Sequence, residues 1–171
     1  MMNIAVIGSG NIGGTLAKGW ARAGHTVTFG VRDLQNFKGK DLLQRPNIGA
    51  ASISDAVARS EVILIAATPP ATRGIAGQLG NVSGKIILDA MNSARSKADE
   101  FGSTAEALRA WTVGAEIVKC FNSTGWENMA DPHYAGVPVD MFMAGSSVRG
   151  KAVALQLALA GFCRMLRLWG R

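Results

Sequence analysis

Short blocks of Val, Ile, Leu and Ala recur along this chain, and between them lie stretches whose apolar spacing fits helices. The pattern predicts strands over residues 3–7, 26–30, 62–66, 85–88, 116–119 and 139–143, with a further short strand at 50–52. Several blocks, such as EVILIAA and GKIILDA, are solidly apolar rather than alternating. Strands buried on both faces read this way, which favours a parallel sheet covered by helices. The intervening helices are predicted at 11–23, 53–59, 71–79 and 104–110, and a last one at 147–160. Gly24 and Gly80 stand where a left-handed residue would close a helix. A β-α-β-α-β order of this kind implies an α/β fold of the doubly wound Rossmann type, a mainly parallel sheet with helices on both faces. No internal repeat or long linker divides the chain, so residues 1–145 read as one nucleotide-binding domain and 146–171 as a C-terminal helix and short basic tail.

Composition narrows the class. At 171 residues with 48% hydrophobic and 18% charged positions, the chain can bury a core without staples. Its two cysteines, Cys120 and Cys163, form no C-x-x-C pair, which argues against a disulfide framework, a zinc ribbon or an iron–sulfur protein. No apolar run reaches the roughly 18 to 20 residues of a membrane span. The opening MMNIAVIGSGN has no basic n-region and runs directly into a folded motif, so a cytoplasmic protein without a signal peptide is expected. The net charge of +6 suggests nucleic acid only until it is located. Residues 1–148 hold 13 Lys and Arg against 12 Asp and Glu, while residues 149–171 hold five basic residues and no acid. A basic tail rather than a basic stripe argues against nucleic-acid binding.

The strongest local signal follows the first strand: Gly8-Ser9-Gly10-Asn11-Ile12-Gly13. This is G-x-G-x-x-G between a buried strand and a helix, the context the motif requires. Gly8 would permit the tight turn, Gly10 would let a pyrophosphate approach the backbone, and Gly13 would let helix and strand pack closely. Free N–H groups at the helix start would face the anion. Which dinucleotide binds depends on the end of the second strand, where NAD enzymes place an acid about 20 residues on. Gly30 or Val31 holds that position here, and Arg32 follows. A guanidinium matches a 2′-phosphate, so NADP is favoured over NAD, although Asp33 could turn inward as a ribose acceptor.

Other candidates lie after later strand ends, where ligands of open α/β sheets bind. Thr68, Asn92 and Asn122 offer hydrogen-bonding groups for a ribose or carboxamide. His25, at a helix-to-strand turn, reads as structural; His133 reads as a loop residue and Cys120 as a core filler. No metal spacing, paired carboxylates or nucleophile–base grouping stands out, as hydride transfer between two redox cofactors would allow.

The segments NIAVIGSGNIGGTLAKGWARAGHTVTFGVRD, LDAMN and VKCFNSTGWENMADP together resemble the deazaflavin (coenzyme F420)-dependent NADP reductase family over roughly residues 2–145. The resemblance implies a hydride passed between NADPH and a deazaflavin or flavin-like acceptor. It implies that Ser9, Asn11 and Ile12 line the pyrophosphate, that Arg32 holds the 2′-phosphate, and that Thr68 and Pro69 flank the nicotinamide. Asn92, Phe121 and Asn122 would border the acceptor pocket. Two departures stand out: Val31 replaces a serine frequent in the family, and the chain stops short of the family's further C-terminal helices.

Two other readings compete. A pyrroline-carboxylate or hydroxy-acid reductase also opens with GxGNxG but needs a large helical substrate domain. A non-catalytic NADP-binding sensor or partner module would keep the loop and lack a closed acceptor site. The segment Ala152-Val-Ala-Leu-Gln-Leu-Ala-Leu-Ala160 is apolar almost all round, which predicts a homodimer through this helix and the tail beyond it.

Overall fold

The computed structural model describes residues 1–160 and 165–169. An eight-stranded sheet forms its centre. Strands β1 (Asn3–Ile7), β2 (Thr26–Val31), β3 (Ile48–Ser52), β4 (Val62–Ile65), β5 (Ile86–Asp89) and β6 (Glu116–Cys120) all run parallel, in the spatial order β6-β5-β4-β1-β2-β3. Helices α1 (Asn11–Arg22), α2 (Ile53–Ala58), α3 (Thr72–Ala76) and α4 (Thr104–Trp111) make the crossovers. After β6 come a one-turn helix α5 (Trp126–Ala130) and a small hairpin, β7 (His133–Tyr134) with β8 (Val137–Pro138). Strand β9 (Asp140–Ala144) then adds antiparallel to β6, followed by helix α6 (Val148–Leu159). Strand β10 (Met165–Trp169) pairs parallel to β9 at the edge, so part of the segment expected to be a tail extends the sheet.

The solid apolar blocks explain the layering. Alternate residues of each strand point to opposite faces, and here both faces are buried. Ile4, Val6, Leu64 and Leu88 pack on one side with Leu16 and Trp20 of α1 and Leu157 of α6. Ala5, Ile7, Ile63, Ile65 and Ile87 pack on the other with Ile53, Ile75 and Leu108 from α2, α3 and α4. The result is the three-layer Rossmann-type fold. Trp20 is wholly buried, and its indole Nε1 donates to the carbonyl of Leu157 at 2.9 Å, tying α1 to α6. Gly24 and Gly80 have left-handed φ of 87° and 68°, as helix-closing glycines.

The helix starts differ in a way that bears on the site. Serines 52, 103 and 147 cap α2, α4 and α6 with their side chains. Helix α1 starts from Gly10 with no side-chain cap, leaving its first N–H groups for another acceptor. Among the described residues, no helix is long and apolar enough to cross a membrane.

Candidate dinucleotide-binding cleft

Three glycines shape the loop between β1 and α1. Gly8 has φ of 105°, and a Cβ there would come within 2.7 Å of the carbonyl carbon of Ala66. Gly13 sits so close behind the loop that a Cβ would overlap the Gly8 carbonyl and stand 3.2 Å from Val6 Cγ1. Gly10 is different: a Cβ there would meet nothing within 4 Å. Its missing side chain therefore leaves open space rather than relieving a protein contact.

The end of β2 settles what can stand beside this loop. A Cβ at residue 30 would run into Ile7 Cδ1 and lie 3.2 Å from Ile53 Cα, so any side chain there would need its neighbours to shift. Val31 is buried as well, and Arg32 is the first exposed residue after the strand. Asp33 turns to its own loop: its Oδ1 accepts from the backbone N–H of Gln35 at 2.8 Å and of Asn36 at 3.2 Å. Lys40 Nζ donates to the Gln35 carbonyl at 2.8 Å and braces the same turn.

Between the glycine loop and α3 lies a cleft of about 610 Å³. Gly8, Ser9, Gly10 and Arg32 line it together with Asn36 and Lys38, and Thr68, Pro70 and Ala71 form the facing wall. That wall is a 3-10 turn, Pro69–Ala71, in which the Thr72 hydroxyl donates to the Pro69 carbonyl at 2.6 Å. A second, shallower groove of about 260 Å³ shares Ser9, Gly10 and Lys38 and runs along α1 past Asn11 and Lys18 to Trp126.

The family of NADP oxidoreductases described as coenzyme F420-dependent matches residues 3–93, a span that contains the glycine loop, Arg32 and the Thr68 wall. The chain belongs to this family. A candidate F420-dependent NADP-reductase from Arthrobacter sp. FB24 superposes with a TM-score of 0.84 at 27% identity, over 97% of this chain and 84% of that one. A reductive aminase from Aspergillus terreus, solved in complex with NADPH, shares the fold, with a TM-score of 0.75 at 19% identity over 99% of this chain and 55% of its own. Among curated sequences, a protein named malate dehydrogenase from Paramagnetospirillum magneticum is 26% identical over 160 residues. The match takes in 87% of this chain but 46% of that protein, so the chain spans about half the length of this relative.

Not every residue that this family's pattern suggests reaches the cleft. Ile12 is half-buried against the core, and Gly13 and Pro69 lie buried behind the residues that line the wall. Asn92 is exposed, and its Oδ1 accepts from the Ala94 N–H at 3.1 Å. Asn122 is half-buried. The expectation for Phe121 needs correction. Its φ of 61° turns the ring beneath the strand end, where it is fully buried and meets Trp20 edge-on with centroids 5.8 Å apart. The ring is core, not pocket wall. None of Asn92, Phe121 and Asn122 lines either cavity.

The sequence did not single out Asn36, Lys38 or Gln78 as lining residues. A charged cluster at the ends of β5 and β6 was also missed, in which Asp89 is fully buried and lies 3.0 Å from Lys119 Nζ. His25 matches its structural reading: it is buried, and its Nδ1 accepts from the Met2 N–H at 3.2 Å. Burial holds its pKa below the ordinary value of 6.5, helped by the nearby N-terminal charge and opposed by Glu61. His133 lies exposed beside Asp131, and Cys120 is buried. Among the described residues, no group of three or more His, Cys, Asp or Glu could hold a metal ion.

Proposed function

We propose that the cleft binds NADP(H) and that the protein moves a hydride between it and a deazaflavin or flavin-like acceptor. One observation carries the nucleotide part: the uncapped N-terminus of α1, the open space at Gly10 and the Arg32 side chain belong to one cleft. Free N–H groups and the helix dipole suit a pyrophosphate, and a guanidinium suits a 2′-phosphate. The cleft volume falls within the roughly 300 to 1,000 Å³ typical of ligand sites. Asp33 also lines the cleft, with one carboxylate oxygen engaged by backbone N–H groups of its own loop.

When bound, the nicotinamide supplies the hydride chemistry, and the chain's own residues bind and orient it. Ser9, Gly10 and Asn11 would present polar groups to the pyrophosphate, Arg32 would fix the 2′-phosphate end, and Thr68 would flank the nicotinamide ribose. Asn92 and Asn122, beyond the carboxyl ends of β5 and β6, would border the acceptor. The acceptor class rests on the family rather than on a cavity. We further propose a cytoplasmic location and a homodimer, the dimer supported by Leu159 of α6, a residue that is 53% exposed.

Calorimetry with NADPH and NADH, followed by NADPH oxidation in the presence of FMN or a deazaflavin, tests this reading. Tighter NADPH binding with acceptor-dependent oxidation is the expected result. NADPH binding with no oxidation by either acceptor would favour a nucleotide-binding module instead.

A further inference from the structure

We infer that Asp89 and Lys119 are positioning residues that set the nicotinamide side of the cleft by gripping a single residue, Met91. The inference rests on the NADP(H) reading above.

Asp89 ends β5, and Lys119 is its register partner on β6. Asp89 Oδ1 accepts from the Met91 N–H at 3.0 Å, while Lys119 Nζ donates to the Met91 carbonyl. The pair thus holds both backbone polar groups of Met91. Lys119 Nζ also donates to Asp89 Oδ2 at 3.0 Å and to Thr104 Oγ1 at 3.1 Å, and the Thr104 hydroxyl donates to Asp89 Oδ2 at 2.6 Å. An ammonium has three N–H donors, and all three are engaged here. Lys119 has none left for a ligand, so a direct catalytic role does not fit and a positioning one does.

The grip reaches the cleft in two steps. Met91 is buried, and its Sδ lies 3.6 Å from the Thr72 hydroxyl. That hydroxyl holds the Pro69 carbonyl, and Pro69 opens the turn whose Pro70 and Ala71 wall the cleft. Arg32 at the end of β2 marks the adenosine side, so β4 and β5 carry the nicotinamide side. Asn92 follows Met91 directly. A buried ion pair is poor value for stability alone, because apolar replacements often match it. Its geometric effect is the better account: two charges from different strands fix the two peptide groups that flank Met91 beside the site.

The test compares NADPH with adenosine 2′,5′-bisphosphate, which carries the adenosine and 2′-phosphate but no nicotinamide. Asp89→Asn combined with Lys119→Met removes both charges together, so neither is left buried alone. The bisphosphate should bind this variant as it binds the unaltered protein, while the advantage of NADPH over it should shrink by about tenfold, the scale of one charge-assisted hydrogen bond. Lys119→Arg, which keeps the cation, should retain most of that advantage. An unchanged ratio in the double variant would overturn the inference, as would an unaltered protein that binds both probes equally. If the unaltered protein binds neither probe, the nucleotide reading fails and takes this inference with it. Should the double variant not fold, Thr104→Val removes the hydroxyl's two bonds, to Asp89 and from Lys119, and no charge, and an unchanged ratio there would count against the inference equally.

Discussion

The carbonyl of Gly8 occupies the space that a side chain on Gly13 would need, its carbon 3.0 Å from where the Cβ would stand. Helix α1 therefore packs against the end of β1 at a distance only glycine allows. Gly10, three residues earlier, faces open space. Two glycines of one motif thus act on different links, one on folding and one on binding. Gly13→Ala should destabilise the protein by at least about 1 to 3 kcal/mol, since the neighbouring group is backbone and cannot rotate away. Gly10→Val should melt close to the unaltered protein and lose NADPH binding, because the new side chain fills the pyrophosphate's path. Thermal melts and calorimetry on both variants check the pair. Normal NADPH binding by Gly10→Val would show that the cofactor lies elsewhere.

Arg32 is exposed, lines the cleft and follows Gly30 and Val31, which are buried and carry no acid. NADPH should bind at least several-fold tighter than NADH. Arg32→Ala should remove most of that preference, a loss of about tenfold to a hundredfold for one charge-assisted phosphate contact. NADH affinity should change little. Equal affinities in the unaltered protein would defeat the NADP assignment.

Much of this site could be read along the chain because it is local. The glycine loop lies within six consecutive residues, and Arg32 stands at a fixed offset from a strand whose apolar block is unmistakable. Lys38 and Gln78 are different, since they reach the cleft only through the excursion after β2 and the turn that follows α3. The Asp89, Lys119 and Thr104 cluster joins three elements separated by 15 to 30 residues, and no spacing rule announces it. The family resemblance places Phe121 at the acceptor pocket, and nothing in the sequence marks its backbone as unusual. A left-handed backbone, rare for a residue with a side chain, turns its ring inward instead. Strand β10 pairs with β9, and Arg167 interrupts the apolar pattern that would have marked it in the sequence.

Self-association is expected through α6. Gly150, Ala154, Leu157 and Ala158 face the protein interior, whereas Val148 and Leu159 are exposed. Exposed apolar groups that cluster on one helix favour a symmetric contact between copies. Light scattering at micromolar concentration should give about twice the chain mass, and Leu159→Glu should shift it toward the monomer. A single-chain mass for the unaltered protein would exclude the dimer.

His25 links stability to pH in a definite direction. Its Nδ1 accepts the Met2 N–H, which only an unprotonated nitrogen can do, and burial further disfavours the charged ring. The folded protein therefore holds this histidine's pKa below the unfolded value of 6.5. Below that value the unfolded chain binds more protons than the folded one, so stability falls as pH drops. The contribution is fully present above 6.5 and is lost as pH falls through the lowered folded value. In melts run from about pH 8 to about pH 5, the unaltered protein should lose stability on the acid side more steeply than His25→Gln. Glutamine can still accept the Met2 N–H but does not titrate. Parallel curves for the two proteins would show that this histidine does not couple folding to protons.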